Sequence, residues 1–200
     1  MKVLVLLAHP DKGSFNHAIA HACVEQLKAD GHEPVLQDLY AEGFDPLLGK
    51  DEATRGATID EAIDRQSREL IEYDGVIVIH PNWWGMPPAI LVGWVDRIVR
   101  AGIAYRFVEG DNGEGVPVGR MKAKTAIVFN TSNTEEKREQ EVFGDPLETI
   151  WDNCIFRFCG VKRVERKVFR IIVTSTLEQR KAWLEEAKSL VRASYSRAEN

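Results

Sequence analysis

Apolar residues occur along this chain in short unbroken runs, and between the runs they recur every three or four positions. VLVLLA at 3–8 is uniformly apolar, as a strand covered on both faces must be. From Asn16 to Ala29 the period changes. Ile19, Cys23 and Leu27 stand four apart with Ala20 and Val24 beside them, which predicts a helix with one apolar stripe, and Gly31 is its stop. EPVLQDL at 33–39 reads as a second strand. The stretch 40–57, with two Gly-centred turns and Asp45-Pro46, reads mostly as loop. A patchier helical stripe covers 58–73 through Ile59, Ala62, Ile63, Leu70 and Ile71.

The alternation then repeats. VIVIH at 76–80 is a third strand, and Leu91, Trp94, Val95 and Ile98 predict a helix from Pro88 to Val99. A proline at a helix start forfeits no needed N–H. The Gly-rich acidic stretch 109–119 reads as a long loop, either a flap over a site or a plain surface connection. AKTAIVFN at 123–130 is a fourth strand, a helix follows near 146–158, and KVFRIIV at 167–173 is a fifth strand. Ser175 and Thr176, followed by Glu178 and Gln179, form overlapping capping boxes that open a last helix with Trp183, Ala187, Leu190 and Val191 inward. Strands alternating with helices predict an α/β fold with a doubly wound, five-stranded parallel sheet in the order 2-1-3-4-5. Residues 1–193 read as one domain, and 194–200 as a frayed tail.

Composition narrows the partners. With 200 residues, 44% of them hydrophobic, the chain can bury a core without disulfides or a structural metal. A net charge of -5 argues against a nucleic-acid partner. No stretch approaches the roughly 20 apolar residues of a membrane span, so no membrane insertion is expected. The apolar run at the N-terminus is shorter than the about 7–15 residues of a signal-peptide core. Three cysteines, an odd number without a secretion signal, point to a reducing cytoplasm.

In a doubly wound sheet the ligand crevice lies beyond the carboxyl ends of the strands, where the strand order reverses. Three loops are expected there, and they hold the unusual residues. AHPDKGSFN ends at a helix start, where Ser14 and Asn16 can cap and free N–H groups favour a phosphate. It is neither a G-x-G-x-x-G turn nor a P-loop, and it is equally a plain N-cap. HPNWWGMPP offers backbone groups, the Asn82 side chain, two indoles and Gly85, which suit a flat heteroaromatic ring; the tryptophans would equally serve to pack between helices. NTSNT offers donors at Thr131, Ser132 and Asn133 that can stabilise negative charge, or it is an ordinary polar turn.

With these residues quoted, the chain resembles the NAD(P)H dehydrogenase (quinone) family of the flavodoxin-like fold. The resemblance rests on His9, Ser14, Phe15 and Asn16 in AHPDKGSFN and on DLYAEGFDP at 38–46. It extends through the spacing of Pro81, Trp84, Pro88, Leu91 and Trp94 to Tyr105 and to FCG at 158–160. It implies that His9, Ser14, Phe15 and Asn16 hold the phosphate arm of FAD or FMN. Pro81, Asn82, Trp83, Trp84 and Gly85, with Thr131, Ser132 and Asn133, would hold the ring. It implies a homodimer with the site at the subunit junction, and hydride passing from NADH or NADPH through flavin N5 to a quinone or similar small aromatic acceptor near Tyr105 and Phe143. Four features depart from the family. Phe143 stands where a His is expected, the stretch 134–146 holds no Tyr, Ser132-Asn133 stands for a Gly-Gly, and Val92 for a helix Lys, so no acid/base residue is assigned. The departures keep a second reading open, a flavin-binding ancillary subunit of a potassium efflux system; a one-electron shuttle ranks third.

Other features carry less. His17 and His21 are four apart on one helix, but no third ligand accompanies them, so no metal is expected. Cys154 and Cys159 read as buried apolar residues, and the charge run 135–141 as a solvated face.

Overall fold

The computed structural model describes residues 1–54, 58–108, 115 and 117–196. The central sheet is built from β1 (Lys2–Leu7), β2 (Glu33–Asp38), β3 (Gly75–Pro81), β6 (Thr125–Ser132) and β7 (Arg163–Arg170). Two further strands of two residues each, β4 (Tyr105–Arg106) and β5 (Val118–Gly119), pair antiparallel. The sheet order is β2-β1-β3-β6-β7 and every neighbouring pair is parallel. This is the expected 2-1-3-4-5 arrangement.

The uniformly apolar runs have a simple cause. Alternate residues of each inner strand point to opposite faces, and both faces are covered. Val3, Val5, Leu7, Ile77, Ile79, Ile127 and Phe129 face α1 (Phe15–Ala29) and α6 (Leu177–Tyr195), packing with Ile19, Cys23, Leu27, Ala187 and Val191. Leu4, Leu6, Val76, Val78, Ala126 and Val128 face the other layer, which holds α2 (Glu61–Leu70) and α3 (Ala89–Ile98). That layer also holds α5 (Pro146–Glu148), which continues into a π-helical segment, Thr149–Arg157, supplying Trp151 and Phe156. The capping box expected on the last helix is present: Thr176 accepts from Gln179 N–H, and the Gln179 side chain accepts from Thr176 N–H.

Several expectations are corrected. The fifth strand begins at Arg163 and ends at Arg170, because its partner β6 sets the register from Thr125↔Arg163 to Ser132↔Arg170. As an edge strand it is only half covered, so charged residues enter it, whereas Val173 in the apolar run is 72% exposed. The charge run 135–141 is not simply a solvated face, since α4 (Glu136–Glu141) buries Glu139. Cys154 is exposed, and only Cys23 and Cys159 are buried. The tail does not fray at 194: α6 reaches Tyr195, which is 2% exposed and donates its hydroxyl to Val76 O. The possible flap falls largely at 109–114 and 116, outside the described residues. No helix among the described residues is long and apolar enough to cross a membrane.

Candidate functional site

The three loops do converge. The Asn16 carboxamide donates to Thr131 Oγ1 at 3.0 Å, joining the first loop to the third. Asn82 N–H donates to Thr131 O at 2.8 Å, joining the second to the third. The His9 ring lies 6.0 Å from the Trp83 ring, closing the triangle. All three contacts sit at the carboxyl ends of β1, β3 and β6, where the strand order reverses.

Asp11 shapes the first loop. Its carbonyl accepts from Ser14 N–H and its carboxylate from Gly13 N–H, turning the chain into α1. Ser14 is the N-cap, and the N–H groups of Phe15 and Asn16 in the first turn have no intrahelical acceptor. They can receive an anion, aided by the helix dipole. His9 Nδ1 faces both the N–H and the carbonyl of Asp11, leaving Nε2 for another group. Burial holds its pKa below the ordinary histidine value, only partly offset by the Asp11 contact. The Phe15 ring points away from the crevice and packs on Phe169 and Trp183, so only its backbone serves the loop.

The second loop is a tight turn that satisfies itself. Trp83 and Met86 exchange N–H···O bonds, and Gly85 N–H donates to Asn82 Oδ1. The Asn82 side chain therefore shapes the turn. Trp84 stands at φ 60 and is 96% exposed, with its indole against no protein surface, and Trp83 is 41% exposed. The indoles are not core. Gly85 has φ +74, and a Cβ there would come within 2.7 Å of Pro146. Glycine thus lets the turn lie against the 143–146 segment.

In the third loop, Thr131 binds Asn16 and Ser132 Oγ accepts from Thr134 N–H. Asn133 Oδ1 accepts from Val173 N–H, so its side chain ties the loop to the start of the next connection. Tyr105 does not join the three loops through any ring contact; it packs edge-on against Phe107 and Phe158. Phe143 is 48% exposed with the Arg138 guanidinium 5.3 Å from its ring centre.

Sequence reasoning missed two supports. His80, fully buried at the end of β3, holds Pro81. Its Nδ1–H donates to Pro81 O at 2.8 Å, while Nε2 faces the Trp151 indole N–H at 2.8 Å and the Asn130 amide at 3.0 Å. Donors on both sides of Nε2 demand a neutral ring, and burial pushes its pKa down to about 4. Asn130 in turn accepts from Arg166, which also binds Asp145 and Glu148. The second support is His17, which bridges Ser14 Oγ at 2.9 Å and Asp38 Oδ2 at 3.1 Å. The apolar pattern was the one signal for His80, since a histidine ending a buried strand needs partners. His17 had only its helix position. No group of three or more potential metal ligands occurs among the described residues.

Comparison with known proteins agrees with this architecture. The chain is 30% identical over 96% of its length to an uncharacterized NAD(P)H oxidoreductase of Haemophilus influenzae, covering 95% of that protein. It is 32% identical over 82% of its length to NAD(P)H dehydrogenase [quinone] 1 of Rattus norvegicus, of which it spans 66%. An NAD(P)H:quinone oxidoreductase from Methanothermobacter marburgensis superimposes with a TM-score of 0.82 at 26% identity, covering 96% of both chains. The family description "flavodoxin-like fold" matches residues 1–193, and the chain belongs to that family.

Proposed function

We propose that this chain is a flavin-dependent NAD(P)H:quinone-type oxidoreductase, using NADH or NADPH as co-substrate and a quinone or similar aromatic molecule as acceptor. The observation that carries the reading is the pairing of an anion-ready helix start with an exposed indole. The open N–H groups of Phe15 and Asn16 lie in one loop, and the 96% exposed Trp84 lies in a loop tied to it through Thr131. One end suits a phosphate and the other a flat ring.

The residues fit FAD or FMN in a definite division of labour. His9, Ser14 and the backbone of Phe15 and Asn16 would take the phosphate arm. Trp84 and Gly85 would border the ring, with Ser132 beside it. Pro81, Asn82, Trp83, Thr131 and Asn133 would hold those groups in place. A bound flavin supplies two-electron redox chemistry between a nicotinamide and the acceptor. The protein orients the ring, offers donors for its negative charge and limits water. Phe143, beside the segment that abuts Gly85, and Tyr105 would meet the acceptor.

The exposed apolar residues support a homodimer that completes the site. Leu47 is 75% exposed, Trp84 96%, Met86 54%, Val108 56% and Val118 45%. Exposed apolar side chains of this size are available for burial against a second copy of the chain. The three free cysteines support a cytoplasmic setting.

The test is to release and identify any yellow chromophore from purified protein, then to follow NADH and NADPH oxidation with a benzoquinone. Acceptor-dependent oxidation is expected. Flavin-loaded protein without turnover would favour the ancillary-subunit reading, which the missing Tyr and the Phe143 substitution keep alive. Absence of flavin affinity would reject both.

A further inference from the structure

We propose that His17 is a positioning residue for the cofactor's phosphate arm, and that seating the phosphate takes up one proton on His17 through Ser14. This rests on the flavin reading above and assigns a role to a side chain which that reading leaves unused.

The argument is a count of protons and lone pairs. Ser14 Oγ already accepts from His17 N–H, as the N-cap of α1. The same oxygen lies 2.9 Å from His17 Nδ1. His17 Nε2 lies 3.1 Å from Asp38 Oδ2, and Asp38 is fixed, since its Oδ1 accepts from Tyr40 and Ala41 N–H. His17 is only 7% exposed, so water does not readily replace these partners.

Two arrangements satisfy this chain. With neutral His17, the proton sits on Nε2 toward Asp38, and Nδ1 accepts the Ser14 hydroxyl proton. Ser14 then turns only a lone pair toward the crevice, and a phosphate oxygen meets no donor from its hydroxyl. With protonated His17, Nδ1–H donates to Ser14 Oγ and Nε2–H to Asp38. The Ser14 oxygen now accepts twice, and its own proton is free to point at a phosphate. The third possibility, a neutral ring with its proton on Nδ1, sets the Nε2 lone pair against the Asp38 carboxylate. Turning the Ser14 proton toward a phosphate while His17 is neutral would strand the buried Nδ1 lone pair, so protonation of His17 frees Ser14 to donate without losing a hydrogen bond. The same proton places a positive charge one turn behind the anion seat.

The other titratable groups about His17 are few. His9 lies in the β1–α1 loop with its ring 6.4 Å away, Asp11 lies beside His9, Asp38 lies on β2, and exposed His21 stands one turn further along α1. His9 is the competing acceptor for the proton, so the test separates the two.

Calorimetric titration of purified protein with FAD, in buffers of different ionisation enthalpy, counts the protons taken up. FAD is the probe because its pyrophosphate does not titrate between about pH 6 and 9, unlike the phosphate of FMN, with a second pKa near 6. Net proton uptake on binding is expected within that range. There, affinity should fall by up to about tenfold per pH unit, the limit for one linked proton. His17→Asn should remove the uptake and flatten the pH dependence while FAD still binds; Ser14→Ala, which deletes the N-cap and a phosphate contact, should bind FAD more weakly and also without uptake. Histidine ring NMR of the unaltered protein gives a second readout that needs no variant to fold: the His17 signals should move to their protonated positions on adding FAD. FAD binding without proton uptake, uptake that survives in His17→Asn, or His17 signals that stay neutral would each overturn the proposal while leaving the flavin reading intact. Failure of FAD to bind at any pH would overturn both.

Discussion

The Asn16 carboxamide and the Thr131 hydroxyl meet at 3.0 Å across 115 residues of chain, both buried, and they hold the first and third site loops together. The hydroxyl also lies 3.3 Å from Asn16 Oδ1, so the pair is joined through both amide atoms. Asn16→Ala should cost about 1–2 kcal/mol, because it strands a buried hydroxyl. Flavin affinity should fall at least tenfold. A double-mutant cycle with Thr131→Val, read by denaturant unfolding and by flavin titration, should show strong coupling in both. Additive effects would mean that the contact does not join the loops.

Trp84 holds an expensive conformation for no packing return. Its φ of 60 is rare for a bulky residue, and its indole is 96% exposed. Trp84→Gly should therefore stabilise the flavin-free protein by about 1 kcal/mol while weakening flavin binding. Thermal unfolding of flavin-free protein and a flavin titration read the two effects separately. A loss of stability in the flavin-free protein would place the indole in the core after all.

His80 makes stability depend on pH. Native His80 stays neutral down to about pH 4, whereas in the unfolded chain it takes a proton near its ordinary value of 6.5. The unfolded state binds more protons between those limits. The contribution is therefore complete above about pH 6.5 and is lost as the pH falls toward 4, by roughly 3 kcal/mol in all. His80→Gln should remove that part of the slope. Urea unfolding at several pH values compares the two proteins. Parallel curves would show that His80 titrates alike in both states.

The end of α6 belongs to the core. Tyr195 lies over Gly75, where a Cβ would come within 2.3 Å of its ring, and its hydroxyl reaches Val76 O. Truncation after Ala193 should cost about 3 kcal/mol, the range for losing a buried aromatic. Tyr195→Phe should cost only about 1 kcal/mol, the value of one hydrogen bond. Thermal melts of both variants check the ratio.

Much of this was legible in the chain. The inner strands could be read because two covered faces demand apolar residues at every position, as in Val76 to Ile79. Of the two edge strands, β2 was still readable, but the start of β7 was not, because Arg163 to Lys167 need satisfy only one neighbour, and a polar strand resembles a loop. The site loops stood out by composition, but their inner bonding did not. Nothing local says that Asn82 would spend its side chain on Gly85, or Asn133 on Val173.

The layered α/β architecture, the strand order and the three loops at its reversal are already written in the pattern of the chain. Those follow from periodicity and from chain connectivity, which are properties of neighbours along the chain. Tertiary structure alone decided which polar groups remain unspent at the crevice. It aimed Phe15 at Phe169, left Trp84 bare, and set His17 between Ser14 and Asp38. The reason is physical: a hydrogen bond is exhausted by whichever partner reaches it first in space, and that partner can lie anywhere in the chain.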